Sequence, residues 1–217
     1  MKFTDDKMKE LKILKGKLYE KFVGEYFKKE GYIIVPNGIL EGKKDSGIDI
    51  IAVKHNEVIF MQCKNWAYNP NYQISREKIQ AFIGATYVYM EENKPTYDNY
   101  EIKRYFVVAN KVLDESAAAY CEDKKNIIKY VRIPVNKLSI SSLAKKYDKP
   151  RIEIMMLLFE QGFIDIISDS FTNRDSLTAA VDSEIILTKK GELFGEYRFN
   201  TKTGDDFPCF DEYIELL

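Results

Sequence analysis

Two short apolar runs, residues 48–53 and 58–63, stand on either side of the polar tetrapeptide Lys54-His55-Asn56-Glu57. Runs of this length, rich in Ile, Val and Phe and separated by a compact polar turn, predict a β-hairpin. A third such run, Tyr32–Val35, precedes them. Strands this apolar need helices packed against their sheet, and the flanking patterns supply them. Residues 8–30 place Leu11, Leu14, Leu18, Phe22 and Tyr26 at helical spacing among lysines and glutamates, with Gly31 as the stop. A second amphipathic pattern runs from Ser75 to Glu91, carrying Ile79, Phe82, Ile83, Thr86 and Met90 on one face. Tyr105–Ala109 then reads as a strand, Asp114 opens a helix to about Lys124, and Ile127–Ile133 reads as a strand again. The order helix, three strands, helix, strand, helix, strand predicts an α/β fold, a mixed sheet with helices packed on it.

After Pro134 the pattern changes. Leu138–Tyr147 and Arg151–Gln161 read as two short helices broken at Asp148-Lys149-Pro150. Phe163–Ile167 and Glu184–Leu187 read as short strands around the polar stretch 168–183, and Lys189–Gly195 suggests a last helical turn. The expected organisation is therefore two domains, 1–137 and 138–217. Charge supports the division. The chain as a whole is nearly neutral, at −1, but residues 1–137 carry 24 Lys and Arg against 19 Asp and Glu, while 138–217 carry 9 against 15. The front domain is thus the better candidate for meeting phosphate. Cys63, Cys121 and Cys209 lie far apart, with neither zinc-site nor disulfide spacing, which fits a reducing, cytoplasmic setting. Neither a signal peptide nor a membrane span is expected.

Polar residues inside the hairpin point to chemistry. Asp49 opens its first strand, and Gln62 and Lys64 close its second. Residues two apart in a strand share a face, so Gln62 and Lys64 point the same way and the hairpin brings Asp49 beside them. A charged pair at the margin of apolar strands is costly unless it is mutually paired or holds a metal. One reading is an Asp49–Lys64 ion pair capping the sheet. The other is metal-assisted phosphodiester hydrolysis: Asp49, the Gln62 amide oxygen and the Cys63 carbonyl supply oxygen ligands to Mg²⁺. Lys64 then stabilises charge on the phosphate or positions the attacking water.

At this point the chain resembles the PD-(D/E)XK nuclease superfamily, specifically its Mrr-like restriction endonuclease branch. Gly47-Ile48-Asp49 is similar to that branch's G-x-D, and Gln62-Cys63-Lys64 to its Q-x-K. Gly16-Lys17-Leu18-Tyr19-Glu20 is similar to the family's first helix, and residues 79–85 to the helix after the motif strand. The resemblance covers about residues 10–135. It implies a restriction-endonuclease-like mixed sheet in the order α-β-β-β-α-β, and a Mg²⁺-dependent DNA endonuclease in which Glu20 joins Asp49, Gln62 and Lys64. The metal ligands would be Glu20, Asp49, Gln62 and the Cys63 carbonyl. Double-stranded DNA is the implied substrate, and a homodimer suits the cutting of two antiparallel strands. With glutamine where an acidic residue is usual, the site carries less negative charge, which favours one tightly held ion or requires Glu20 to compensate.

Neighbouring residues extend the set. Lys43, Lys44 and Asn65 lie where DNA phosphates would pass, although a solvated loop explains the lysines equally well. Residues 38–44 approximate a phosphate-binding loop but are one residue short, lack the terminal Ser or Thr, and precede a strand instead of a helix. His55 is the only histidine and sits in a turn, which removes histidine-based hydrolases from consideration. Trp66 and Tyr68 are placed either to stack on a base or to pack at the sheet rim. The second domain resembles a winged helix-turn-helix, which would turn Lys145, Lys146, Lys149 and Arg151 toward DNA. Against this winged-helix-like α+β reading, its apolar second helix, and seven acidic against two basic residues from Gly191 onward, equally suit a small helical domain used for dimerisation or partner contact. Three functional alternatives follow: a DNA-repair or junction nuclease, a DNA-binding regulator on an inactive nuclease fold, and a protein-interaction module.

Overall fold

The computed structural model describes residues 4–36, 47–67, 69, 71–167 and 184–216. Lys43, Lys44, Tyr68 and the polar stretch 168–183 lie outside them. The chain divides into two compact units, Gly16–Pro134 and a second made of Met1–Lys15 with Val135–Leu217.

In the first unit the mixed sheet is present. Strands β1 (Ile33–Pro36), β2 (Ile50–Lys54), β3 (Glu57–Lys64), β4 (Glu101–Val108) and β5 (Lys129–Arg132) are adjacent in that order. β1, β2 and β3 pair antiparallel, and β3, β4 and β5 run parallel. The hairpin turns at His55, whose φ of 53° fits a tight connection. Parallel neighbours need crossover segments, and these are the helices α2 (Arg76–Glu92) and α4 (Glu115–Asp123), with the single turn α3 (Lys94–Tyr97) between α2 and β4. Asp114 caps α4, accepting from the Ala117 N–H at 2.7 Å. The alternation of β3 sends Val58 and Phe60 to the face covered by Ile79, Phe82 and Ile83 of α2, with Phe106 and Val108 from β4 alongside.

The other face is covered by helix α1 (Asp5–Lys29), which buries Tyr19, Val23 and Phe27. Phe27 rests on Tyr105 of β4, ring centroids 6.1 Å apart. α1 ends in a Schellman turn: the N–H groups of Gly31 and Tyr32 donate to Lys28 and Phe27 carbonyls, and Gly31 takes a φ of 87°. This glycine lets the chain reverse directly into β1.

The second unit contains β6 (Lys137–Ser139), α5 (Ile140–Tyr147), α6 (Arg151–Glu160), β7 (Ile164–Ile167), β8 (Glu184–Leu187), α7 (Lys189–Phe194), β9 (Gly195–Phe199) and β10 (Asp206–Asp211). β7 and β8 form an antiparallel pair, and β6, β10 and β9 a three-stranded sheet. The sequence pattern started a helix at Leu138; in the structure Lys137–Ser139 is a strand, because it pairs with Cys209–Asp211. Ser139 then caps α5, accepting from the Ser142 N–H. The buried Asp211 carboxylate is 2.5 Å from Lys137 Nζ and 3.8 Å from Lys15 Nζ, and Lys15 donates to the Leu193 carbonyl at 2.6 Å. These contacts tie the first turns of α1 into this unit. Among the described residues, no helix is long and apolar enough to cross a membrane.

Candidate active site

The site residues gather where β3 ends, at the carboxyl end of the parallel strands, where ligands sit in open α/β sheets. Ile50 pairs with Met61, so Asp49 stands opposite Gln62, and its N–H donates to the Met61 carbonyl at 2.8 Å. Its carboxylate turns forward to accept from the Cys63 N–H at 2.6 Å. Asp49 is thereby held at both backbone and side chain. Residues two apart in a strand present backbone groups to the same edge, so the Cys63 carbonyl points, like that of Met61, to the side where Asp49 lies.

Gln62 and Lys64 continue the Val58, Phe60 face beyond the buried core, and both are half-buried. Gly47 abuts Gln62: a Cβ built there would stand 3.6 Å from Gln62 Nε2, and a φ of 74° favours glycine at this position. The buried Cys63 thiol is pushed well above the ordinary cysteine range, first by burial and then by the carboxylates of Asp49 and Glu20, while Lys64 pulls it down. Glu20 on α1, Asp49 at the start of β2 and Lys64 at the end of β3 therefore all lie within electrostatic reach of one sulfur atom.

Glu20 follows a residue that fixes this stretch of α1. The hydroxyl of Tyr19 donates to the Ile133 carbonyl at 2.9 Å, anchoring α1 to the far end of the sheet. Burial, with Cys63 and Tyr130 adding, raises that phenol above its usual range, so it stays a donor. Nothing local in the sequence marks this role, because the partner lies 114 residues away. A second feature that sequence reasoning missed is the partnership of Trp66 with Tyr72 and Lys78. Asn65 is half-buried just past the motif.

The donor set fits a hard divalent cation. It offers two carboxylates, an amide oxygen and a backbone carbonyl, and the protonated Cys63 thiol withholds the soft ligand that zinc prefers. Among the described residues no cluster of three or more His, Cys, Asp or Glu has metal-site geometry. Mg²⁺ keeps several waters and takes few protein ligands.

A family model for restriction endonucleases, Mrr_cat, matches residues 11–132. The chain is a restriction endonuclease family member. The match spans every element that positions Glu20, Asp49, Gln62 and Lys64, and it bears out the likeness to the Mrr-like PD-(D/E)XK branch and to its mixed-sheet fold. A UPF0102 protein of Kosmotoga olearia is 25% identical over 105 residues, covering 48% of this chain and 90% of that protein. The crystal structure of a protein of unknown function, AF1548, aligns over 72% of this chain and 73% of its own at 17% identity, with a TM-score of 0.36.

In the second unit the basic residues have divergent settings. Lys145 and Arg151 are exposed. Lys146 Nζ donates to the Glu212 carbonyl, and Lys149 pairs with Glu153 one turn along α6.

Proposed function

We propose that this restriction endonuclease family member is a Mg²⁺-dependent enzyme that hydrolyses phosphodiester bonds of double-stranded DNA. The Asp49 carboxylate held by the Cys63 N–H, opposite Gln62 on the strand that also presents Lys64 and inside the segment that matches the family, carries this reading. Glu20, Asp49, Gln62 and the Cys63 carbonyl would hold the ion. Bound there, Mg²⁺ supplies Lewis-acid stabilisation of the phosphate and a more acidic water.

The chain's own residues do the rest. Asp49 is fixed by its two backbone bonds, so its carboxylate is preorganised and needs no reorganisation when substrate arrives. Lys64 places its ammonium at the strand end, where it neutralises negative charge developing on the phosphate oxygens and orients the attacking water. Gln62 accepts through its amide oxygen without adding charge, which lowers the repulsion a phosphate meets on entering. In the second unit we assign DNA contact first to Lys145 and Arg151; Lys146 and Lys149 would first have to leave their present partners. A homodimer would present two such sites to the two strands, and a host-defence role suits the family.

Plasmid incubated with Mg²⁺ and either the wild-type protein or Lys64→Ala tests the reading. Nicking or linearisation by the wild type alone supports it; equal cutting by both, or none by either, overturns it.

A further inference from the structure

The loop joining β3 to α2 carries a feature the hydrolytic site does not use. Trp66, two residues past Lys64, stacks on Tyr72 with ring centroids 5.0 Å apart and planes 23° from parallel. Lys78 Nζ lies 4.4 Å from the Trp66 centroid and 5.2 Å from that of Tyr72. We propose that Trp66, Tyr72 and Lys78 form a stacking site for an unpaired nucleobase beside the scissile phosphate, so that the preferred substrate is DNA with unpaired bases next to the cut. The location beside a scissile phosphate rests on the nuclease reading above; the stacking itself does not.

Three observations carry the inference. First, the outer ring of the pair is on the surface: Trp66 is partly buried and packs against the core, but Tyr72 remains 59% exposed with Trp66 against it, so the Tyr72 ring contributes little to the core and has area left for a ligand. Second, the cation is placed where a helix disfavours it. Lys78 is the third residue of α2, at the positive end of the helix dipole, and an anion held there offsets both charges. Stacked rings with an adjacent ammonium match a nucleotide, base to ring and phosphate to lysine. Third, the platform is fixed relative to the motif lysine. The Ala109 N–H donates to the Lys64 carbonyl at 3.2 Å, and Asn110 Nδ2 donates to the Trp66 carbonyl at 2.7 Å. Consecutive residues after β4 thus clamp both positions, and two residues of backbone span at most about 7 Å. A base inside a duplex presents no ring face, so only an unpaired nucleotide can use the platform.

Trp66 is the only tryptophan in the chain, which makes its emission a direct reporter. With Lys64→Ala protein and Mg²⁺, so that DNA stays uncut, an oligothymidine should quench the emission and a relaxed, covalently closed circular duplex, which has neither ends nor loops, should not. Tyr72→Ala should weaken oligothymidine binding by about tenfold and leave duplex binding unchanged, with Lys78→Gln giving a smaller loss. Emission unmoved at saturating oligothymidine, equal quenching by the duplex, or full affinity in both variants overturns the proposal. In cleavage, the wild type should cut a duplex bearing a short unpaired gap at least about tenfold faster than an intact one, a preference that Tyr72→Ala removes. Quenching without Lys64-dependent cutting of any DNA would defeat the nuclease reading alone. Cutting with no Tyr72-dependent preference would defeat the stacking site alone.

Discussion

The two ends of β3 face the same physical problem and answer it differently. At its start, Glu57 accepts from the Tyr32 hydroxyl at 2.5 Å and pairs with Lys103, which also lies 3.4 Å from Glu101. Lys54, beside them, donates to the Glu30 carbonyl at 2.7 Å and lies over the Tyr32 ring. Acids and bases there are matched two to two, and the Lys103 ammonium is held well above its usual range, chiefly by its bond to Glu57. At the end of the strand, the Asp49 carboxylate takes the Cys63 N–H, and the Asp49 and Glu20 carboxylates help burial to keep the Cys63 thiol protonated. The first end is a closed ionic cap. The second carries Asp49, Gln62 and Lys64 at the carboxyl end of the parallel strands, where the proposed divalent cation would bind.

Substitution of the lysine at each end breaks the comparison most sharply. Lys64→Ala should lower DNA cleavage by about 10³-fold, within the range seen when a preorganised charge stabiliser is removed, without a fall in melting temperature. Lys103→Ala should do the reverse: cleavage stays intact, and stability falls by about 1 kcal/mol or less, as for a partly exposed ion pair. Comparable loss of activity from both would erase the distinction between the two ends.

Asp49 separates chemistry from architecture at one position. Asp49→Ala should abolish cleavage and cost about 1–3 kcal/mol in denaturant titration, because the Cys63 N–H loses its acceptor. Asp49→Asn should abolish cleavage with most of that stability retained, since the amide oxygen still accepts. Tyr19→Phe comes next: it should cost about 1 kcal/mol by losing the bond to the Ile133 carbonyl, and lower cleavage less than Glu20→Gln does, because it loosens the helix that presents Glu20 and leaves the carboxylate in place.

The smallest effect concerns the thiols. Burial raises the pKa of Cys63, Cys121 and Cys209, so a thiol reagent at pH 8 should find almost nothing to react with until denaturant exposes all three. The sign of the linkage follows. In the unfolded chain these thiols ionise from about pH 8.5, while in the fold they stay protonated. Their contribution to stability is therefore complete below that pH and lost as pH rises toward the folded values. Denaturant midpoints that stayed flat from pH 8 to 10 would contradict this.

The half of the chain that makes the site was legible because its signals are local. Apolar runs, a four-residue turn, Gly31 and the Asp114 cap each act over a few residues, and the observed strands and helices follow them closely. The Asp49, Gln62 and Lys64 constellation was legible for the same reason, since a hairpin converts sequence spacing directly into proximity. Tyr19 and the Tyr72 and Lys78 partners of Trp66 were not, because their roles depend on contacts that chain order does not display. The C-terminal unit was less legible throughout. β10 carries Pro208 in the middle strand of its sheet, a residue that argues against a strand, and β6 exists only through pairing with β10 some seventy residues later. The first turns of α1 look like any amphipathic helix, and the contacts of Lys15 with Leu193 and Asp211 show which unit they join.

Anomalous scattering from crystals soaked in Mn²⁺ tests the central claim most directly. Ion density within oxygen-ligand distance of Asp49 and the Cys63 carbonyl, at the end of β3 and absent from crystals of Asp49→Asn, is the predicted result. Density only at the Glu57 end of the strand, or none at either end at saturating Mn²⁺, would contradict it.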